Sequence, residues 1–207
     1  MSDHKIIIEK SAAYQTFGNP LTATKLIFAL HGYGQLTEFF IRKFQHLSSE
    51  YFIITPEGFH RFYLKGSSGR VGASWMTKEN RSDDIKDNIK YLNQLYHQFD
   101  KYQFDEKILL GFSQGGATAS RWHDKGDFGA DKFVLWASVF PPDLDQEWPS
   151  SFQNSTNIFV IGSEDKYYTS EKIEMQKSYF LQNKVAFKTV IYVGDHSINP
   201  DILREIL

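Results

Sequence analysis

A serine, an acid and a histidine, each with glycine close by, are the residues of this chain best suited to chemistry. Ser113 stands in Gly111-Phe112-Ser113-Gln114-Gly115, directly after the apolar run Ile108-Leu109-Leu110. A serine hydroxyl is a poor nucleophile until a neighbouring base takes its proton, and histidine is the usual base near neutral pH. Asp165 follows Gly162-Ser163-Glu164, and His196 lies in Gly194-Asp195-His196-Ser197. A fourth segment, His31-Gly32-Tyr33-Gly34, carries glycines that let a backbone N–H turn towards a ligand. These are the parts of an acyl-transfer site: nucleophile, base, an acid to orient the base, and amide donors for an oxyanion.

The G-x-S-x-G pattern alone is weak. Three fixed residues at background frequencies of about 7% each recur by chance in roughly 7 of 100 chains of this length, and the bland reading is a glycine-rich turn. Its context raises it. An apolar strand runs in and a stretch of small, helix-compatible residues runs out, which describes a strand, a sharp turn and a helix with serine at the apex. Glycines flank such an elbow because a Cβ there would meet the neighbouring strand and helix. The helix N-terminus behind the serine favours negative charge.

The elements that must position these groups alternate along the chain. Residues 5–9, 26–30 and 51–55 read as strands and 83–99 as a helix, with Ser82 or Asp83 as its cap. Strand 107–110, helix 114–124, strands 132–138 and 157–162, helix 170–182, strand 187–193 and a terminal helix 200–207 follow. Continuous apolar strands separated by helices predict an α/β fold, a mostly parallel sheet with helices on both faces. One or two early strands are expected to pair antiparallel at an edge. No repeat or linker divides residues 1–207, so one domain is expected. The stretch 56–81 reads as a long loop of glycines and aromatics, and such loops tend to be functional.

In a doubly wound sheet, ligands sit beyond the carboxyl ends of the strands. Four strand ends here supply the His31-Gly32-Tyr33-Gly34 loop, Ser113, Asp165 and His196, and the order Ser, Asp, His is that of the α/β-hydrolase triad. Rivals exist. Ser113 could be a turn serine. His4, His97 and His123 suit a terminus or helix faces, His31 suits a structural place in its loop, and His46 and His60 lack supporting context. Asp143 follows the 132–138 strand, and Glu164 and Asp195 adjoin the candidate segments. Phe59, Phe62, Tyr63, Trp75 and Met76 could either line an acyl pocket or pack the long loop.

The segments LHGYG at 30–34, GFSQGGATA at 111–119, GSEDKYY at 162–168 and GDHSI at 194–198 carry a resemblance. From residue 26 onward the chain resembles the phospholipase/carboxylesterase family of small α/β-hydrolases, which includes acyl-protein thioesterases. The resemblance implies Ser113 as nucleophile, His196 as base and Asp165 as acid, with the backbone N–H groups of Tyr33 and Gln114 as the oxyanion hole. It implies an α/β-hydrolase fold. The departures are Lys166-Tyr167-Tyr168, where the family has small aliphatic residues, and Asp195 before the histidine. Both fall at the rim, which makes Tyr167 and Tyr168 candidate substrate contacts.

Composition narrows the remaining classes. The net charge of −2 gives no electrostatic case for nucleic acid or an anionic membrane. There is no cysteine, which excludes disulfides, thiolate metal sites and a cysteine nucleophile. Histidines and acids show no metal-ligand spacing, so neither metal nor cofactor is expected. The opening MSDHKIIIEK lacks a signal-peptide pattern, no apolar run is long enough to span a bilayer, and a cytoplasmic enzyme without stable membrane insertion is expected. The stretch 139–157 looks too short for a cap domain. The pattern leaves oligomeric state open, a homodimer included. The function expected is a serine esterase acting on small, short-to-medium acyl esters. The alternatives are a thioesterase, a non-catalytic hydrolase-fold binding protein, and a peptidase, for which this length leaves little room.

Overall fold

Five strands carry side chains that alternate between two faces, yet almost every one is buried. In β2 (Lys25–Leu30), β6 (Glu106–Phe112), β7 (Lys132–Trp136) and β8 (Thr156–Gly162) only the first one or two residues reach solvent, and in β3 (Tyr51–Pro56) none does. Burial of both alternating sets means that both faces of the sheet are covered. The structure is a computed structural model and describes residues 4–144, 150–182 and 185–207.

The seven-stranded sheet has the order β1-β3-β2-β6-β7-β8-β9, with β1 at Tyr14–Phe17 and β9 at Phe187–Tyr192. Every neighbouring pair is parallel except β1 and β3. The helices are α1 (Thr37–Phe40), α2 (Arg81–His97), α3 (Gln114–Lys125), α4 (Ser150–Gln153), α5 (Ser170–Gln182) and α6 (Pro200–Ile206). This is the α/β-hydrolase arrangement. From β2 the chain moves to β3 on one side, then returns to β6 on the other. The loops after β2 and β6 therefore part, and a crevice opens between them at the carboxyl edge.

The high aromatic content fills the core. Trp75, Trp122 and Trp136 are fully buried, and Phe28, Trp122 and Phe128 form a cluster with ring centroids 5.0 to 5.1 Å apart.

Several sequence expectations need correction. Residues 5–9 form no strand, and Ile6, Ile7 and Ile8 are 82%, 94% and 73% exposed. The place beside β3 is taken instead by Tyr14–Phe17, a segment whose side chains are mostly exposed and so gives no apolar signal. The 56–81 stretch is not a plain loop. It contains a hairpin of β4 (His60–Tyr63) and β5 (Val71–Ser74). Helix α2 starts at Arg81 behind Asn80, which sits in the left-handed region at φ 51° and makes no side-chain cap. The strand expected at 132–138 stops at Trp136 because Ala137 turns the chain at φ 46°. Within 139–157 lie a short helical turn at Pro142–Leu144 and α4, while residues 145–149 lie outside the described residues.

Candidate active site

Ser113 sits between β6 and α3 at φ 52° and ψ −122°, a backbone region a non-glycine residue adopts only when its surroundings force it. The forcing is visible. The Ser113 N–H donates to Trp136 O on β7 at 2.9 Å, and its carbonyl accepts from the Gly116 N–H at 2.9 Å. A Cβ on Gly115 would fall against the carbonyl oxygens of Leu30 and His31, and one on Gly111 against the Gly116 Cα. The elbow is thus pressed against β2 on one side and closed on its own helix on the other.

The acid and the histidine come from the last two parallel strands. Their loops are tied together where the ladder ends: Ser163 N–H donates to Tyr192 O at 2.8 Å, and Glu164 N–H to Gly194 O at 2.9 Å. Asp165 is buried, and its side chain is wholly shielded from solvent. One carboxylate oxygen accepts the Tyr167 N–H at 2.8 Å, and the other meets His196 Nδ1 at 2.6 Å. A carboxylate accepts only, so Nδ1 carries the proton and Nε2 presents its lone pair. That Nε2 lies 3.0 Å from Ser113 Oγ. The imidazole is flanked by Phe112 at 5.1 Å and Tyr167 at 4.7 Å. Its loop is anchored by Trp136 Nε1, which donates to Ser197 O at 3.0 Å, and by the Tyr192 hydroxyl, which donates to the same oxygen.

The loop at residues 31–35 and the elbow are both fastened to β5. On the loop side, Gly34 N–H donates to Ala73 O at 2.8 Å, and Ala73 N–H donates to Gln35 O at 3.3 Å. The Gln35 side chain accepts the Gly32 N–H at 2.9 Å, and Trp75 Nε1 donates to His31 O at 2.8 Å. On the elbow side, the Gln114 amide accepts the Trp75 N–H at 3.1 Å and donates to Met76 O at 2.8 Å and Ser74 Oγ at 3.0 Å. The first N–H of α3, that of Gln114, has no intrahelical partner. The Tyr33 amide lies between two glycines that are themselves held. One short strand therefore sets the spacing between these two amides.

His31 is fully buried. Its Nδ1 donates to Gly32 O at 2.8 Å, and its Nε2 accepts the Gly58 N–H at 3.0 Å. Burial pushes its pKa down to about 4, so it stays neutral. This is the structural place that the sequence suggested.

A cavity of about 410 Å³ opens at Ser113 and His196, walled by Tyr33, Tyr167, Tyr168, Ala117 and Val139 among others. The structure thus brings Ser113, Asp165, His196, Tyr33, Gln114, Tyr167 and Tyr168 together. It does not bring the aromatic loop with them. Trp75 is buried beneath the loop at 31–35, Phe59 packs on Tyr91 at 4.8 Å, and Phe62 stacks on Tyr33 at 4.9 Å. Tyr63 is exposed on β4, and Met76 faces a neighbouring hollow. None of these five residues lines the cavity itself, while Trp75, Phe59 and Phe62 make the packing contacts just given. Sequence reasoning missed Gln35 and Ser74, which fasten the two loops, and Ser138 and Val139, which line the cavity; their types give no signal apart from the fold. A larger hollow, about 560 Å³, lies at the amino ends of β8 and β9, lined in part by Phe180 and Phe187, and Ser113 does not border it. Among the described residues, no cluster of three histidines or acids is placed to hold a metal, and no helix is long and apolar enough to cross a membrane.

Comparisons with known proteins bear on the fold and the family. The chain is similar in structure to acyl-protein thioesterase 2 of Zea mays, at TM-score 0.71 and 16% identity over 95% of this chain and 96% of that one. It is similar to SOBER1 of Arabidopsis thaliana, at TM-score 0.68 and 18% identity over 89% and 96%. A phospholipase/carboxylesterase of Dyadobacter fermentans DSM 18053 gives TM-score 0.60 and 16% identity over 97% and 96%. At these identities the likeness is one of fold, and it is the fold the sequence resemblance implied. No curated protein matches the chain in sequence. The family model for serine hydrolase (FSH1) matches residues 21–200, a span that holds the loop at 31–35, the Ser113 elbow, Asp165 and His196. The chain belongs to the serine hydrolase (FSH1) family and is a serine hydrolase.

Proposed function

We propose that this enzyme hydrolyses small carboxylic esters of short-to-medium acyl chains through an acyl-enzyme on Ser113. One observation carries the reading: the unbroken line from Asp165 to His196 to Ser113, at 2.6 and 3.0 Å. His196 Nε2 takes the hydroxyl proton as Oγ attacks the ester carbonyl. Asp165 holds the ring and stabilises it once charged. The Gln114 and Tyr33 amides donate to the oxyanion, where one such donor is worth about a hundred- to a thousandfold in turnover. His196 then passes its proton to the departing alkoxide. Water, deprotonated by the same nitrogen, cleaves the acyl-enzyme and releases the acid.

Tyr167 and Tyr168 are the proposed substrate contacts on the His196 side. The cavity is open, so it desolvates a chain only in part. Each further buried CH₂ adds at most about 0.8 kcal/mol, and only while wall remains. The test is the specificity constant for p-nitrophenyl esters from acetate to palmitate, with and without lipid micelles. The expected maximum falls at a short or medium chain with no interfacial jump. A maximum at palmitate with interfacial activation overturns this substrate range. A thioester passes through the same acyl-enzyme, and the likeness to an acyl-protein thioesterase makes it the second reading. Oxygen and sulfur esters of one acyl group, compared side by side, separate the two.

A further inference from the structure

A second chamber adjoins the cavity at Ser113. A hollow of about 350 Å³ shares Gln114, Ala117 and Val139 with it and extends over Met76, Phe140 and Pro141. Neither Ser113 nor His196 borders this chamber, so it lies on the side of the nucleophile away from the base. That placement assigns the halves of an ester. The leaving oxygen must face His196 Nε2 to receive its proton, and the acyl chain, on the opposite side of the carbonyl carbon, points over Ala117 into the second chamber.

The lining of the chamber has an uneven charge. It includes Lys78, Arg81 and Arg121, and no carboxylate. The carboxylates nearby are engaged elsewhere. Asp143 takes Arg121 through two hydrogen bonds, at 2.8 and 2.5 Å. Asp84 accepts the Thr77 N–H at 3.3 Å and pairs with His60 at 3.0 Å. Glu79 reaches Lys78 only at 3.8 Å, and both side chains are largely exposed. Arg81 makes one long contact, to Thr77 O at 3.5 Å. An apolar throat of Ala117, Val139, Phe140 and Met76 thus opens on two cations with spare donors. A concave wall of one sign concentrates the field at its mouth.

The geometry points to a substrate whose acyl chain ends in a carboxylate, that is, a half-ester of a dicarboxylic acid, with the free carboxylate held by Lys78 and Arg81. This rests on the Ser113 acyl-enzyme read above. The products are the free diacid and the alcohol, and water is the only co-reactant.

The test compares wild-type kcat/KM for monoethyl glutarate, adipate and pimelate with that for ethyl pentanoate, hexanoate and heptanoate. An apolar pocket alone favours the neutral ester, so the comparison is diagnostic. The expected result is about a tenfold preference for the half-ester at one chain length, shrinking as salt rises from about 20 to about 300 mM. In the double variant Lys78→Glu/Arg81→Glu the preference for the half-ester inverts, and in Lys78→Gln/Arg81→Gln it is lost. Equal constants for both series in the wild type, or a preference that ignores salt and charge reversal, overturn the assignment while leaving neutral-ester turnover to vouch for Ser113. If no ester is turned over and Ser113 takes no fluorophosphonate, the underlying reading falls and this one with it.

Discussion

Gln114 donates through its side-chain amide to the carbonyl oxygen of Met76 at 2.8 Å. The residue beside Ser113 is thereby locked to the segment just after β5, the strand whose Ala73 also holds Gly34. Gln114→Ala removes the lock and leaves the main-chain N–H in place but free to drift. We expect kcat for p-nitrophenyl butyrate to fall between about ten- and a hundredfold, because a donor misplaced by about 1 Å costs on that order. KM should move by no more than about threefold, since the loss falls on the transition state. An unchanged kcat would show that the hairpin does not govern the amide.

Ser113→Ala should fold as the wild type does, since its backbone bonds to Trp136 and Gly116 remain. Turnover should drop by about four orders of magnitude or more. Mass spectrometry after fluorophosphonate treatment of the wild type should place the adduct on Ser113. An adduct on a different serine would falsify the assignment.

The acids separate by variant. Asp165→Asn upsets the tautomer of His196 and should cost on the order of a thousandfold or more in kcat. Asp143 does other work. The Arg121 guanidinium holds its carboxyl below the usual carboxylate range. Asp143→Asn should lower stability by about 1 kcal/mol, a figure discounted for its partial exposure, with kcat near that of the wild type. Asp195, which accepts from Ser197 Oγ at the surface, should matter as little to rate. A crippling Asp143→Asn would move the acid to the end of β7.

Two buried imidazoles set an acid limit on stability. Burial drives the pKa of His31, and of His123 stacked on Phe133, down to about 4 each. In the unfolded chain each titrates near 6.5. Between those values the unfolded chain binds protons that the folded chain refuses, so stability is full above about pH 6.5 and is lost as pH falls towards 4. Each residue accounts for on the order of 3 kcal/mol over that window. Urea unfolding followed across this range should show the decline, and His31→Gln and His123→Gln should each flatten it by up to about 1.4 kcal/mol per pH unit. A variant whose slope matches the wild type clears that histidine of the effect.

The parallel strands were legible in the sequence because their burial on both faces leaves continuous apolar runs such as Leu26–Leu30. Ser113, Asp165 and His196 were legible as candidates because each closes such a run beside a glycine. What escaped depends on pairing partners. Ile6-Ile7-Ile8 has strand character but no ladder to join, while Tyr14–Phe17 looks indifferent and pairs with β3. The β4–β5 hairpin was hidden because its two short strands sit among glycines. Trp75, for which the sequence left pocket lining and packing equally open, is a buried strut, and only the fold reveals that its indole reaches His31 O.

The same hairpin has an outer end. From Tyr63 to Arg70 it projects into solvent, and at Gly66 and Gly69 an added Cβ would meet nothing. Its inner end bears on the chemistry and its tip bears on nothing. New sequence spliced between Lys65 and Gly69 would extend into solvent without passing strain to Ala73 or Gln114. The architecture thus separates a fixed inner end from a free graft site, and an engineer seeking a handle to tether this enzyme has an address at which to write it.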